Sequence, residues 1–125
     1  MQLDHTSLYV KDVSLSRTFY EAVLLPFGYS VVRDFGEVAV GFGDRNYAVL
    51  ALVREEGTIK ATHVAFRVTD RSDVDRFYSI AMEAGASDNG APGVRPHYHE
   101  NYYAAFILDP DGHNLEFVCH DVISQ

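Results

Sequence analysis

Two histidines and one glutamate in this chain have the residue types and the placing of a metal site. His5 and His63 stand 58 positions apart in two similar segments, and Glu116 interrupts an apolar run near the carboxyl end. Two imidazoles and one carboxylate suit Fe, Mn, Ni, Co or Zn, and three protein ligands leave coordination positions for water or substrate. The set predicts a metal centre of His5, His63 and Glu116. The alternative is three solvated polar residues on a sheet face.

The surroundings of both histidines reveal an internal repeat. DHTSLYVKDV, residues 4–13, is echoed by THVAFRVTDR, residues 62–71, and Phe19-Tyr20 is echoed by Phe77-Tyr78 at the same offset. Several matches at one offset indicate two copies of one structural unit. We expect modules at residues 1–56 and 57–125, joined near the polar stretch 54–57, which ends in glycine.

Each module reads as a strand, a helix and three further strands. Alternating apolar residues mark the opening strands, and apolar stripes at helical spacing follow them. The middle strand of the second module is poorly marked, because residues 89–93 (NGAPG) resemble a loop. The pattern predicts an α+β fold of two tandem βαβββ modules, in which the helix covers one face of each sheet and leaves the other open.

Strand alternation assigns the three candidate ligands to the open face. His5 and His63 lie opposite the apolar sets of their strands, and Glu116 lies opposite Leu115 and Phe117. If the two sheets curve towards each other, the three side chains can converge on one point.

Composition narrows the function classes. The chain has 125 residues, 47% of them hydrophobic, and a net charge of −8 without a basic cluster, so nucleic acid and anionic membranes are poor partners. No apolar run is long enough for a membrane span, and the N-terminus does not resemble a signal peptide. We therefore expect a cytoplasmic protein. Its single cysteine, Cys119, is interpreted as a buried, inert thiol.

The segment from Arg95 to Tyr103 combines two histidines with three tyrosines and is expected to rim the cleft. His97 and His99 could act as general acid or base near neutral pH, and Tyr102 or Tyr103 could hydrogen-bond an anionic substrate oxygen. The alternative is an aromatic loop at a dimer interface. The two other histidines in this half, His113 and His120, are interpreted as structural or exposed.

The motifs together resemble the vicinal oxygen chelate superfamily, which includes glyoxalase I, bleomycin-resistance proteins, fosfomycin-resistance thiol transferases and extradiol dioxygenases. The resemblance rests on His5 followed by VKD and FYEAVL, on His63 followed by VTD, and on DPDGHNLEF, which contains Glu116. It implies paired βαβββ modules that form an open, curved mixed sheet around a cleft. It also implies a divalent metal in that cleft, a substrate that chelates the metal through adjacent oxygens, and a homodimer.

Two family features have no counterpart here. The last strand of the first module, residues 47–53 (YAVLALV), lacks the carboxylate that glyoxalase I uses as a fourth ligand. No arginine or lysine follows Glu116, unlike in the fosfomycin enzymes.

The leading hypothesis is a glyoxalase- or dioxygenase-like metal-dependent enzyme, either a lyase or isomerase or a dioxygenase. Its metal ligands would be His5, His63 and Glu116, and its catalytic candidates are Glu116, His97, His99 and Tyr103. One rival is a metal-free, bleomycin-resistance-like protein that sequesters a small aromatic or cationic ligand. Another is an open-faced dimer whose cleft serves only as an interaction surface.

Overall fold

The computed structural model describes residues 1–122, and the chain forms two compact units. Unit 1 is Met1–Lys60, and unit 2 begins at Ala61. Each contains one four-stranded mixed sheet with a helix, in an α+β arrangement. In each sheet the first strand of the unit pairs with the fourth, the fourth with the third and the third with the second, as the repeat predicts.

Unit 1 is a βαβββ unit. Its elements are β1 (Thr6–Val10), α1 (Val13–Leu24), a short 3-10 turn (Leu25–Phe27), β2 (Ser30–Asp34), β3 (Ala39–Asp44) and β4 (Tyr47–Arg54). The sheet order is β1-β4-β3-β2, with β1 parallel to β4 and the other pairs antiparallel. The Asp12 side chain caps α1 by accepting from the backbone N–H of Leu15 at 3.1 Å.

Unit 2 repeats this topology. Its elements are β5 (His63–Val68), α2 (Arg71–Glu83), β6 (Ser87–Val94), β7 (Tyr103–Leu108) and β8 (Asn114–Cys119). The sheet order is β5-β8-β7-β6, with β5 parallel to β8. The strand that carries Glu116 is therefore central, between the strand that begins at His63 and β7.

Each unit buries the apolar side of its helix. In unit 2, Phe77 of α2 stacks on Phe117 of β8 with ring centroids 4.1 Å apart, and Val74 and Ala81 of α2 are also fully buried. Full burial of one such side chain stabilises a fold by about 1.5–3 kcal/mol. Leu115 and Phe117 thus face the helix, and strand alternation sends Glu116 to the other face.

The least well predicted element is β6. The Gly- and Pro-rich stretch 89–93 lies inside this strand and is not a separate loop. Its pairing with β7 shifts register twice, between Asp88 and Gly90 and between Gly90 and Gly93. As the last strand in its sheet, β6 accommodates a proline and bulges that a central strand would exclude.

Within residues 1–122, no helix has the length and apolar character needed to cross a membrane.

Candidate functional site

Glu116 is a fully buried carboxylate on the sheet face opposite α2. Its side chain is 0% exposed and lies between apolar neighbours in the middle of β8. A buried carboxylate is strongly unfavourable unless hydrogen-bond donors or cations compensate it. The donors around Glu116 therefore define the site.

Two side chains supply those donors. His63 Nε2 lies 2.7 Å from Glu116 Oε1, and the Tyr102 hydroxyl donates to Glu116 Oε2. Since an ionised carboxylate only accepts hydrogen bonds, a His63 ring that carries its proton on Nε2 would satisfy Glu116 Oε1. The His63 ring is half exposed, with 51% of its side-chain surface accessible, so the pair reaches from the sheet interior towards solvent.

Sheet register brings His63 and Glu116 together. His63 pairs with Asn114 across the parallel β5–β8 ladder, and Glu116 follows two residues later on the same face. Diagonal neighbours of this kind lie within reach of long side chains. The Asn114 backbone N–H also donates to the Thr62 carbonyl at 2.9 Å, which fixes the start of the ladder.

The turn before β8 supports this register. Asp109 Oδ1 accepts from the backbone N–H groups of Asp111 and His113, at 2.9 and 2.8 Å. The buried His113 ring accepts from the Thr62 N–H through Nδ1 at 3.0 Å, so turn and β5 are tied together directly beside His63. The DPDG motif therefore positions Glu116, and His113 is structural, as the sequence indicated.

The histidine- and tyrosine-rich segment closes into a loop over this face. The Arg95 backbone N–H donates to the Tyr102 carbonyl at 2.6 Å, which joins the loop ends. The Tyr98 ring lies 4.2 Å from the His97 ring and 4.8 Å from the Tyr102 ring, measured between centroids. His97 and Tyr98 are thereby linked to the phenol that binds Glu116.

His99 faces a partner that the sequence did not suggest. His99 Nε2 is hydrogen-bonded to His120 Nδ1, and the edge of each ring meets the Tyr102 ring at about a right angle. Burial, followed by the nearby His99 and Arg67, lowers the pKa of His120. The lowered pKa favours the uncharged form of the His120 ring, and the Asn101 backbone N–H donates to His99 Nδ1 at 3.2 Å.

Tyr103 lies away from this group. Its hydroxyl donates to Asp75 of α2 at 2.6 Å, and the Arg71 guanidinium lies 4.8 Å from its ring centroid. Burial and the Asp75 bond raise the pKa of Tyr103 to about 12. Alternation could have distinguished the tyrosines, because Tyr103 shares the helix side of β7 with Ala105 and Ile107.

The remaining predicted ligand, His5, belongs to unit 1. It directly precedes β1, its ring is 63% exposed, and Nδ1 lies 2.7 Å from Asp4 Oδ1. Among residues 1–122, no three His, Cys, Asp or Glu side chains form a group that could hold a metal ion. Of the three predicted ligands, His63 and Glu116 are in contact, and His5 belongs to the other unit.

These two groups fit a divalent metal by their chemistry. An imidazole nitrogen and a carboxylate oxygen are borderline and hard donors of the kind that first-row metals bind. A carboxylate offers about four lone-pair sites, and His63 and Tyr102 contact one oxygen each. Replacing the Nε2 proton of His63 by a metal would preserve the pairing and release that proton.

Comparison with known proteins identifies the family of the chain. The family description "Glyoxalase/Bleomycin resistance protein/Dioxygenase superfamily" matches residues 2–117. The chain belongs to this superfamily. No curated protein matches it.

Several solved structures have the same fold as this superfamily member, and the similarity extends over nearly its whole chain. A glyoxalase/bleomycin resistance protein from Albidiferax ferrireducens is 18% identical, with a TM-score of 0.76 and coverage of 96% of this chain and 98% of that one. A possible glyoxalase from Bacillus cereus is 25% identical, with a TM-score of 0.71 and coverage of 95% and 99%. Lactoylglutathione lyase from Agrobacterium tumefaciens is 21% identical, with a TM-score of 0.72 and coverage of 94% and 92%.

Proposed function

We propose that this protein is a metal-dependent enzyme of glyoxalase or dioxygenase type, acting on a small oxygenated substrate that is bound through two adjacent oxygens. The observation that carries the proposal is the buried Glu116 carboxylate in contact with His63. A sequestering protein has no chemical need for a fully buried carboxylate beside an imidazole, whereas a metal enzyme does.

The metal would be held by His63 and Glu116, with His5 as the proposed third ligand. When bound, it would act as a Lewis acid that stabilises negative charge developing on the chelated substrate oxygens. Tyr102 holds the second carboxylate oxygen of Glu116 and so fixes the orientation of the first. His97 and His99 are the proposed general acid or base of the loop.

The metal decides between the two reaction classes. Isomerisation or lyase chemistry needs charge stabilisation and works with Zn or Ni, whereas oxygen chemistry generally requires a redox-active metal such as Fe or Mn. His63 and Glu116 suit both groups of metals. Identifying the bound metal is therefore the first step towards a substrate assay.

Elemental analysis of the protein, purified without chelator, tests the proposal. We expect near-stoichiometric metal in the wild type and its loss in Glu116→Gln and His63→Ala. Glu100→Gln is the matched control, because Glu100 is exposed in the loop and outside the proposed ligand set. A wild type that stays metal-free after reloading, or a Glu116→Gln variant that keeps its metal, would contradict it.

The contribution of His5 needs a separate test, because His5 belongs to unit 1 and the other ligands to unit 2. His5→Ala should reduce metal content if His5 is a ligand. Mixing His5→Ala chains with Glu116→Gln chains then tests the proposed homodimer. Recovery of metal would mean that the ligands come from two copies, and no recovery would mean that one chain supplies all three.

A second candidate, a metal-free ligand-binding protein, is favoured by one observation. A cavity of about 300 Å³ lies on unit 2, and Tyr98 and Phe106 are among its lining residues. A metal-free protein that nevertheless binds a small aromatic molecule there would support this candidate over the enzyme.

A further inference from the structure

The cavity on unit 2 lies directly beside the His63–Glu116 pair. Its lining residues are Asn89, Arg95, His97, Tyr98, Phe106 and Asn114. Phe106 pairs with Glu116 across β7 and β8, and its ring centroid lies 6.2 Å from that of His63. Its volume of about 300 Å³ lies at the lower end of the range for small-molecule sites.

Arg95 supplies a positive charge at this cavity. Its Nη2 donates to the Ala91 carbonyl at 2.7 Å, and its guanidinium carbon lies 5.5 Å from the Phe106 ring centroid. Within residues 1–122, Arg95 forms no ion pair, whereas other arginines do: Arg17, Arg54, Arg67 and Arg76. The cation is therefore available to a ligand in a protein whose net charge is −8.

Two glycines of β6 make room for this guanidinium. A Cβ at Gly93 would lie 3.0 Å from Arg95 Nη1, and a Cβ at Gly90 would lie 3.2 Å from Nη2 and 3.0 Å from the Phe106 ring. The bulged, Gly-rich strand thus leaves space for the Arg95 guanidinium beside an aromatic ring. A guanidinium is a planar set of N–H donors, which suits a carboxylate.

Asn114 adds an unsatisfied acceptor. Its side-chain Oδ1 is buried without a hydrogen-bond partner in residues 1–122. A buried acceptor in this state is unfavourable unless a ligand or water donates to it. A hydroxyl group of a bound molecule would supply that donor.

We propose that this cavity recognises a carboxylate-bearing hydroxy compound, with Arg95 binding the carboxylate and Asn114 accepting from the hydroxyl. The inference rests on the proposed function and names its substrate class, a small anionic hydroxy acid. It favours an anionic over a cationic ligand, because the charge that lines the cavity is positive.

Nitrogen-15 NMR titration of the full chain, after dialysis against a chelator, tests this inference. The probe is mandelate, an aromatic α-hydroxy acid, and mandelamide is its neutral counterpart. We expect mandelate to shift resonances of Arg95, Phe106 and Asn114 and to bind about tenfold or more tightly than mandelamide. Removing metal ensures that the carboxylate is not captured by metal instead.

Variants connect the effect to Arg95. Arg95→Met should weaken mandelate binding about tenfold or more without affecting mandelamide, and Arg95→Lys should recover part of the loss. Gly93→Ala should weaken mandelate binding as well, because the new Cβ displaces the guanidinium without removing its charge. The control is Arg33→Met, which removes an exposed arginine that also donates to a backbone carbonyl.

Failure of this inference is distinguishable from failure of the proposed function. A wild type that does not bind mandelate, equal binding of both probes, or an unchanged affinity in Arg95→Met would overturn the inference. Metal content is measured separately on the same variants. Charge-selective binding in a protein that never takes up metal would leave the inference standing and remove the metal enzyme.

Discussion

Glu116 is a charged residue type in a buried position, so burial and hydrogen bonding make opposing demands on it. Alternation along β8 directs it away from α2, yet its side chain is completely buried. A carboxylate in that position needs donors, and His63 and Tyr102 provide one for each oxygen. An apolar residue would satisfy packing without donors, so packing alone does not account for a carboxylate at this position.

Loss of the Tyr102 hydroxyl should weaken the fold. In Tyr102→Phe, Glu116 Oε2 loses the donor that the structure gives it, and we expect a loss of about 1–3 kcal/mol in the free energy of unfolding. Urea denaturation at neutral pH measures it. Tyr98→Phe is the control, because Tyr98 is 59% exposed, and it should change stability by less than about 0.5 kcal/mol. Equal effects of the two variants would contradict this reading of Tyr102.

The raised pKa of Tyr103 predicts that the native state loses stability as the pH rises into the alkaline range. Its pKa is raised from 10.0 to about 12. Below pH 10 the tyrosine is protonated in both states, so its stabilising contribution is fully present. Between pH 10 and about 12 the unfolded state ionises first, and this contribution is lost. Tyr103→Phe should therefore lose less stability than the wild type over that interval, as chemical denaturation at several pH values would measure. Parallel curves would refute the assignment.

At the level of elements, the periodicity of apolar residues predicted the helices and strands that pack through an apolar face. The helices α1 and α2 and the strands that carry His63 and Glu116 follow directly from alternating or helical spacing. The strand β6 did not, because bulges interrupt its alternation and its position at the sheet edge tolerates Gly and Pro. The contacts of Glu116 with Tyr102, and of His99 with His120, depend on loop closure and have no periodic signal in the sequence.

The turn before β8 should contribute more stability than an exposed aspartate that also accepts from a backbone N–H two residues later. Asp109 is 5% exposed and accepts two backbone N–H bonds through Oδ1. Asp109→Ala should cost about 2 kcal/mol, since each lost bond contributes about 1 kcal/mol. Asp88 in β6 accepts from the Gly90 N–H and from the Tyr78 hydroxyl in an exposed position, and Asp88→Ala should cost less than about 1 kcal/mol. Thermal unfolding of both variants compares the two aspartates, and a larger effect at Asp88 would contradict this interpretation.

For the whole molecule, metal binding should appear as stabilisation of the native state. Any ligand that binds only the folded chain raises its stability, by about 2.7 kcal/mol when its concentration is a hundredfold above Kd. For a chain of this size we expect that to raise Tm by about 10 °C. Calorimetry with and without metal should detect the rise in the wild type and in Glu100→Gln. The rise should be absent in Glu116→Gln and reduced in His5→Ala. An equal rise in Glu116→Gln would mean that the metal binds elsewhere. A rise that His5→Ala leaves unchanged would limit the site to the ligands of unit 2, and the third position would then belong to water or substrate.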